Sequence, residues 1–307
     1  MKEPAVYNFQ RYLAAKKSVD DRALNRHVWG TLAAILSQNK AVRPLRILEL
    51  GSGIGTMVER IIEWGLLESC EYTALDNQRE NATSALDRLS KWASESGFIF
   101  NRQVNHIQLH ELKRSYNIHF ITSELENFLN QNSGNRYWDL LLANAFLDLI
   151  DIPLILPNLL GLLRSTGLFY FSINFDGVTI LEPAIDNDFD QKITALYHHS
   201  MDERTIHGKR SGDSRTGRHL FHHLQQGGAA IAAAGSSDWV VFPTDGGYPE
   251  DEAYFLHFII NTIYQALGNS PDLDQSEFTN WIAKRHQQID RGKLILIAHQ
   301  IDFVGHF

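Results

Sequence analysis

Apolar and polar positions follow two rhythms along this chain. Short apolar runs at 47–50, 71–76, 119–123, 137–144 and 168–173 have the length and density of buried strands. Between them the spacing lengthens to three and four. Met57, Val58, Ile61, Ile62 and Trp64 trace one helix from Thr56, and Leu86, Leu89 and Trp92 trace another over 79–94. Asp151 and Pro153 form an N-cap and first-turn pair for a helix expected to stop at Gly167. Strands alternating with helices build a parallel sheet covered on both faces.

The flanking pattern is less regular. Residues 5–38 read as helices, with Val19, Leu24, Val28, Leu32 and Ile35 inward and Asp20-Asp21 as an N-cap. Within 97–118 the pattern supports a short strand at 98–100 and a helical piece. Residues 216–234 read as a helix ending at Gly235, with strands at 237–242 and 293–299. Two long insertions then remain, 174–215 and 243–291, the second with helices over 252–267 and 276–289. Both fall at the carboxyl edge of the sheet, where open α/β folds bind ligands, and read as a substrate cover.

The chemistry gathers at the first strand. Gly51, Gly53 and Gly55 follow it directly, allowing a sharp turn and close approach of a ligand to the backbone. The helix from Thr56 then points its free N–H groups at that ligand. A dinucleotide fingerprint places its third glycine at position 56, where this chain has Thr56. Asp76 ends the second strand 25 residues after Gly51. Its two oxygens suit the paired hydroxyls of a ribose, or Asp76 caps the helix starting near Asn77.

The pattern Glu49-x-Gly51-x-Gly53-x-Gly55, followed by Asp76, resembles the first motifs of class I S-adenosylmethionine (SAM)-dependent methyltransferases. The likeness covers roughly residues 43–175 in motif order and continues as topology alone. It implies an α/β fold in three Rossmann-like layers, with a seven-stranded mixed sheet whose last strand is antiparallel. A helical N-terminal cap (1–42) and the helical insertions complete a methyltransferase domain over 43–307. SAM is the implied cofactor, held by Glu49, Gly51, Gly53, Gly55, Asp76 and Asn77. Glu124 stands where the family commonly binds the adenine amino group, or it caps the next helix. Asn144 and Ala145 stand where the family places a small polar segment beside the methyl donor, with Phe146 and Asp148 close by.

Composition narrows the partners. With 28 basic and 36 acidic side chains the formal charge is −8, which argues against general nucleic-acid or anionic-membrane binding. The longest greasy stretch, 140–163, is broken by Asn144, Asp148, Asp151, Pro153 and Pro157 and does not read as a membrane span. Cys70 is the only cysteine and no secretory signal is visible, so a cytoplasmic setting is expected. The expected acceptor is a small molecule, and five basic residues between Arg204 and Arg218 suggest an anionic one. Arg215 and Arg218, with Asp213, Arg11 and Phe146, are candidate acceptor ligands; for the arginines the alternative is a solvated loop. His198 and His199 are candidate general bases. The histidines show no metal-ligand spacing such as H-E-x-x-H. His299, near the end of the chain, reads as a satisfied core residue. Two other functions compete: a SAM-fold protein that binds nucleoside without catalysis, and a nicotinamide-dependent oxidoreductase.

Overall fold

The computed structural model describes residues 2–38, 43–206 and 208–307. Helices α1 (Phe9–Ala23) and α2 (Arg26–Gln38) precede β1 (Leu45–Leu50), α3 (Thr56–Glu63), β2 (Ser69–Asp76) and α4 (Arg79–Glu95). Then come β3 (Ile99–Arg102), β4 (His106–Glu111), β5 (Arg114–Thr122), α5 (Leu125–Gln131) and β6 (Trp138–Asn144). A 3-10 turn (Leu147–Leu149) leads to α6 (Ile152–Leu160), β7 (Leu163–Glu182) and α7 (Asn187–Asp202). The hairpin β8 (Thr205–Ile206) and β9 (Lys209–Arg210) precedes α8 (Thr216–Gln226), β10 (Ala230–Ser236) and β11 (Trp239–Val241). Helices α9 (Glu252–Leu267) and α10 (Gln275–Asp290) lead into β12 (Ile295–His306).

One large sheet runs in the order β10-β12-β7-β6-β1-β2-β5-β4-β3. Strands β5, β2, β1, β6 and β7 are parallel, and β12 enters antiparallel between β7 and β10. These seven strands are the mixed Rossmann-like sheet expected from the sequence. The antiparallel β3–β4 hairpin extends it past β5, and β11 adds a short pairing to β12. Ile47, Leu48 and Leu50 of β1 are fully buried, because a central parallel strand is covered on both faces. One face packs against α2, α3 and α4 and the other against α5, α6 and α8. A third apolar cluster joins α1, α7, α9 and α10.

Several elements differ from the sequence pattern, each for a tertiary reason. The fifth strand does not stop at 173; β7 runs on to Glu182 because β12 pairs with it as far as Ile295. This two-stranded ribbon carries the inserted helices beyond the sheet, so the first insertion begins at Pro183. Gly167 lies inside β7 and does not end α6, whose C-cap is Gly161. Helix α8 stops at Gln226, and residues 230–236, of which 230–234 were read as helix, form the edge strand β10 on β12. Their small side chains carry no periodic signal, so pairing decided the outcome. Asp20 and Asp21 lie inside α1, whose N-cap is Asn8. Residues 97–118 hold a hairpin and the start of β5 in place of a helical piece. Among the described residues, no helix is long and apolar enough to cross a membrane.

Candidate functional site

The parallel strands diverge around β1, the switch point where α/β sheets open a crevice at their carboxyl ends. Gly51, Gly53 and Gly55 all adopt left-handed backbone, with φ of 61°, 52° and 77°. At Gly51 a side chain would also strike the Phe146 ring, 2.3 Å from an added Cβ. The turn is therefore built for glycine twice over, by conformation and by space.

Asp76 anchors this turn. Its Oδ2 accepts from the Gly53 N–H at 2.9 Å, and its Oδ1 accepts from Gln78 N (2.8 Å) and Asn81 Nδ2 (3.1 Å). Asp76 thus joins the glycine loop to the start of α4 by both oxygens, although α4, whose N-cap is Gln78, has no side-chain capping bond. Asn81 in turn accepts from Gln10 of α1 at 2.9 Å, and Leu13 of α1 lies against Gly53. The N-terminal helix is folded directly over the loop. Glu49 sits beneath it, 2% exposed, accepting from the Tyr72 hydroxyl at 2.8 Å. Burial pushes the Glu49 carboxyl from its ordinary 4.5 up to about 8, against the lowering effect of that hydrogen bond.

A cavity of about 600 Å³ opens from this loop, within the usual range for small-molecule sites. Glu49, Gly51, Gly53, Asp76, Asn77, Glu124, Asn144, Ala145 and Phe146 all line it; Gly55 does not. Glu124 is the N-cap residue of α5 but makes no side-chain capping bond, and its carboxylate instead meets Asn77 Nδ2 at 3.3 Å. Ala145 has a φ of 50°, so the backbone turns sharply just past β6. Lys16 and Asp20 of α1 form a buried ion pair at 2.5 Å on the cavity wall. Asp20 also accepts from Trp239 Nε1 (2.9 Å) and Asn144 Nδ2 (3.4 Å).

The rest of the cavity is a chamber walled by Tyr12, Phe175, Tyr197, Phe258 and Leu296, with Asp148, Thr179, Arg204 and Gln300 among its polar groups. Tyr197 and Gln300 were not singled out by the sequence. Tyr197 carries no motif signal, and Gln300 enters only because β12 pairs beside β7. His198 lies behind the wall: its Nε2 is 3.0 Å from the hydroxyl of Thr179, which does line the cavity. Burial holds its pKa below the ordinary value. His199 is outside, beside Glu203 at 3.1 Å. His299 is part-exposed and bonds Asp238 at 2.8 Å.

Of the acceptor candidates other than Phe146, none reaches this chamber. Arg218 makes a two-pronged bond with Asp176 on the far side of β7. Asp213 holds His219 at 2.6 Å and accepts from Arg215 N. Arg215 lies against Gly177. Arg11 is bound by both oxygens of Asp251 and stacks over Tyr254 at 4.0 Å. Among the described residues no group of three or more candidate ligands could hold a metal ion.

Strand order, the left-handed glycine turn and the acid ending β2 define a Rossmann-like α/β protein with a large site at its switch point. No family model matches the sequence. No curated protein matches it either. Among solved structures, a geranyl diphosphate methyltransferase in complex with SAM is 8% identical over 99% of this chain and 92% of that one, with a TM-score of 0.44. The YcgJ protein of Bacillus subtilis is 11% identical over 90% and 97%, with a TM-score of 0.43. The [4+2]-cyclase SpnF is 10% identical over 90% and 80%, with a TM-score of 0.40. Function is therefore argued from the site itself.

Proposed function

We propose that this chain transfers a methyl group from SAM to a small-molecule acceptor. The observation that carries the reading is the convergence on one cavity of the left-handed Gly51 and Gly53, the Asp76 carboxylate and the Glu124 carboxylate, with an apolar chamber adjoining them. The residues present fit a nucleoside-bearing cofactor. The Ser52 hydroxyl is buried at the glycine turn without a hydrogen-bond partner. Asp76 uses three of about four lone-pair positions, leaving one for a ribose hydroxyl. Glu124 and Asn77 suit the adenine edge, and Glu49 with Asn144 suits the methionine end.

When bound, SAM supplies an electrophilic sulfonium methyl carbon and retains the bonding pair on sulfur. The protein has to align the acceptor and exclude water. Helices α1, α7 and α9 do the second by roofing the chamber with aromatic side chains. The expected anionic character of the acceptor rested on the five basic residues between Arg204 and Arg218; Arg215 and Arg218 lie off the cavity, and among the described residues Arg204 and Lys16 are the cations on its wall. The single buried thiol, Cys70, supports a reducing, cytoplasmic setting.

Calorimetric titration with SAM, its demethylated product and NAD tests this reading. Binding of the first two without NAD is expected, together with label transfer from methyl-labelled SAM into a metabolite extract. NAD binding alone would leave the oxidoreductase, and SAM binding without transfer would leave a non-catalytic binder.

A further inference from the structure

The methyl acceptor must lose a proton when its nucleophilic atom is a hydroxyl or a protonated amine, and the cavity wall offers five carboxylates: Asp20, Glu49, Asp76, Glu124 and Asp148. Four are already engaged. Asp20 is held by Lys16, Trp239 and Asn144. Glu49 is held by Tyr72, Asp76 by three donors and Glu124 by Asn77. Asp148 differs, because its Oδ1 is buried with no hydrogen-bond partner. A buried, unpaired carboxylate oxygen costs free energy unless something arrives to bond it.

Its position suits an acceptor. Asp148 lies in the 3-10 turn just after β6, past the Phe146 ring that abuts the glycine loop. The turn is pinned from outside by the Ser211 hydroxyl, which donates to the Leu149 carbonyl. The charged and titratable groups that act on Asp148 are Lys16 and Tyr12 from α1, Tyr197 from α7, and Arg204 and Asp213 from the segment after it. Burial raises the Asp148 pKa from its ordinary value, opposed by its own backbone N–H and then by Arg204 and Lys16. The second unpartnered oxygen facing this chamber is Gln300 Oε1. Both oxygens accept hydrogen bonds, so the missing partner is a donor.

On the reading of the site as a methyltransferase, we infer that the acceptor is a largely apolar alcohol, phenol or amine whose O–H or N–H bonds Asp148, with Gln300 as second anchor, and that Asp148 takes its proton. The acceptor–H bond breaks, its electron pair stays on the acceptor atom to bond the methyl carbon, and the proton ends on the Asp148 carboxylate. His198 keeps a supporting place behind Thr179.

The test uses 2-naphthol and 2-naphthylamine, their O-methyl and N,N-dimethyl counterparts, and 2-naphthoic acid. Each is titrated into the protein saturated with S-adenosylhomocysteine, and transfer from labelled SAM is followed in parallel. The donor compounds should bind at least about tenfold tighter than the capped compounds or the acid. Asp148→Asn should lose at least about fivefold in donor binding, and any transfer should fall by about a hundredfold or more, the usual contribution of a general base. The acidic limb of the kcat/KM profile should vanish, with SAM affinity kept within twofold. Gln300→Leu should weaken donor binding with the pH profile intact. Equal binding by capped or anionic compounds, no binding by any of them, or an Asp148→Asn variant that binds donors like the parent would overturn the inference. Failure of S-adenosylhomocysteine itself to bind would instead overturn the methyltransferase reading.

Discussion

Removing the Asp76 carboxylate is the most direct perturbation of the cofactor half of the site. In the Asp76→Ala variant the Gly53 N–H, the Gln78 N–H and the Asn81 amide lose their common partner. Asp76 is half-buried, so water replaces part of what is lost, and the stability cost is about 1–2 kcal/mol. For a chain of this length that is a fall of a few degrees in Tm. The ligand loses more. One ribose hydroxyl can use the free lone pair on Oδ2, while a second has to displace Gln78 or Asn81 from Oδ1. The net loss is then about 1–3 kcal/mol, or roughly 5- to 150-fold in Kd. Asp76→Asn keeps an oxygen for Gly53 and should fall between the two. Isothermal titration with SAM, alongside circular-dichroism melting, separates the effects. A folded Asp76→Ala protein that binds SAM within twofold of the parent would refute the ribose assignment and the lone-pair argument together.

Other expectations follow from neighbouring groups. Burial raises the Glu49 carboxyl to about 8, so between about pH 4.5 and 8 the folded chain holds a proton that the unfolded chain has released. Stability contributed at this site therefore falls as pH rises through that window and is level above it. Glu49→Gln should flatten the pH dependence of denaturant stability there; an identical slope in both proteins would remove Glu49 as its source. Glu252 is fully buried and accepts from Arg22 (2.5 and 2.8 Å) and Ser18 (2.7 Å), clamping α9 to α1. Since Arg22 stays half in water, Glu252→Gln should cost only about 1–2 kcal/mol but loosen the roof, seen as faster amide exchange in α1; unchanged exchange would contradict the clamp. Arg204→Ala should raise the acceptor KM, while Arg215→Ala should leave both acceptor KM and SAM affinity unchanged; the reverse pattern would put the acceptor on the other side of β7.

Much of the frame was legible in advance. The runs at 47–50 and 137–144 correspond to β1 and β6 because central parallel strands need continuous apolar side chains on both faces, and 71–76 corresponds to β2, whose burial largely alternates. The glycines at 51, 53 and 55 announced a left-handed turn, since few other residues tolerate that backbone. Asp76, at the end of the neighbouring strand, could be paired with that turn from spacing alone. These are local signals, and each depends on residues close in sequence.

The chamber was different. The stretch 174–182 becomes strand only because β12, more than a hundred residues later, lies beside it. Small residues at 230–236 join the sheet edge for the same reason. Lys16, Asp148, Tyr197 with Arg204, and Gln300 come from four separate parts of the chain and meet only when that ribbon sets the cap helices over the glycine loop. Arg215 and Arg218, close to them in sequence, end on the other side. Local conformation is written in short-range sterics and solvation, whereas the company a side chain keeps across the fold is decided by long-range strand pairing and burial.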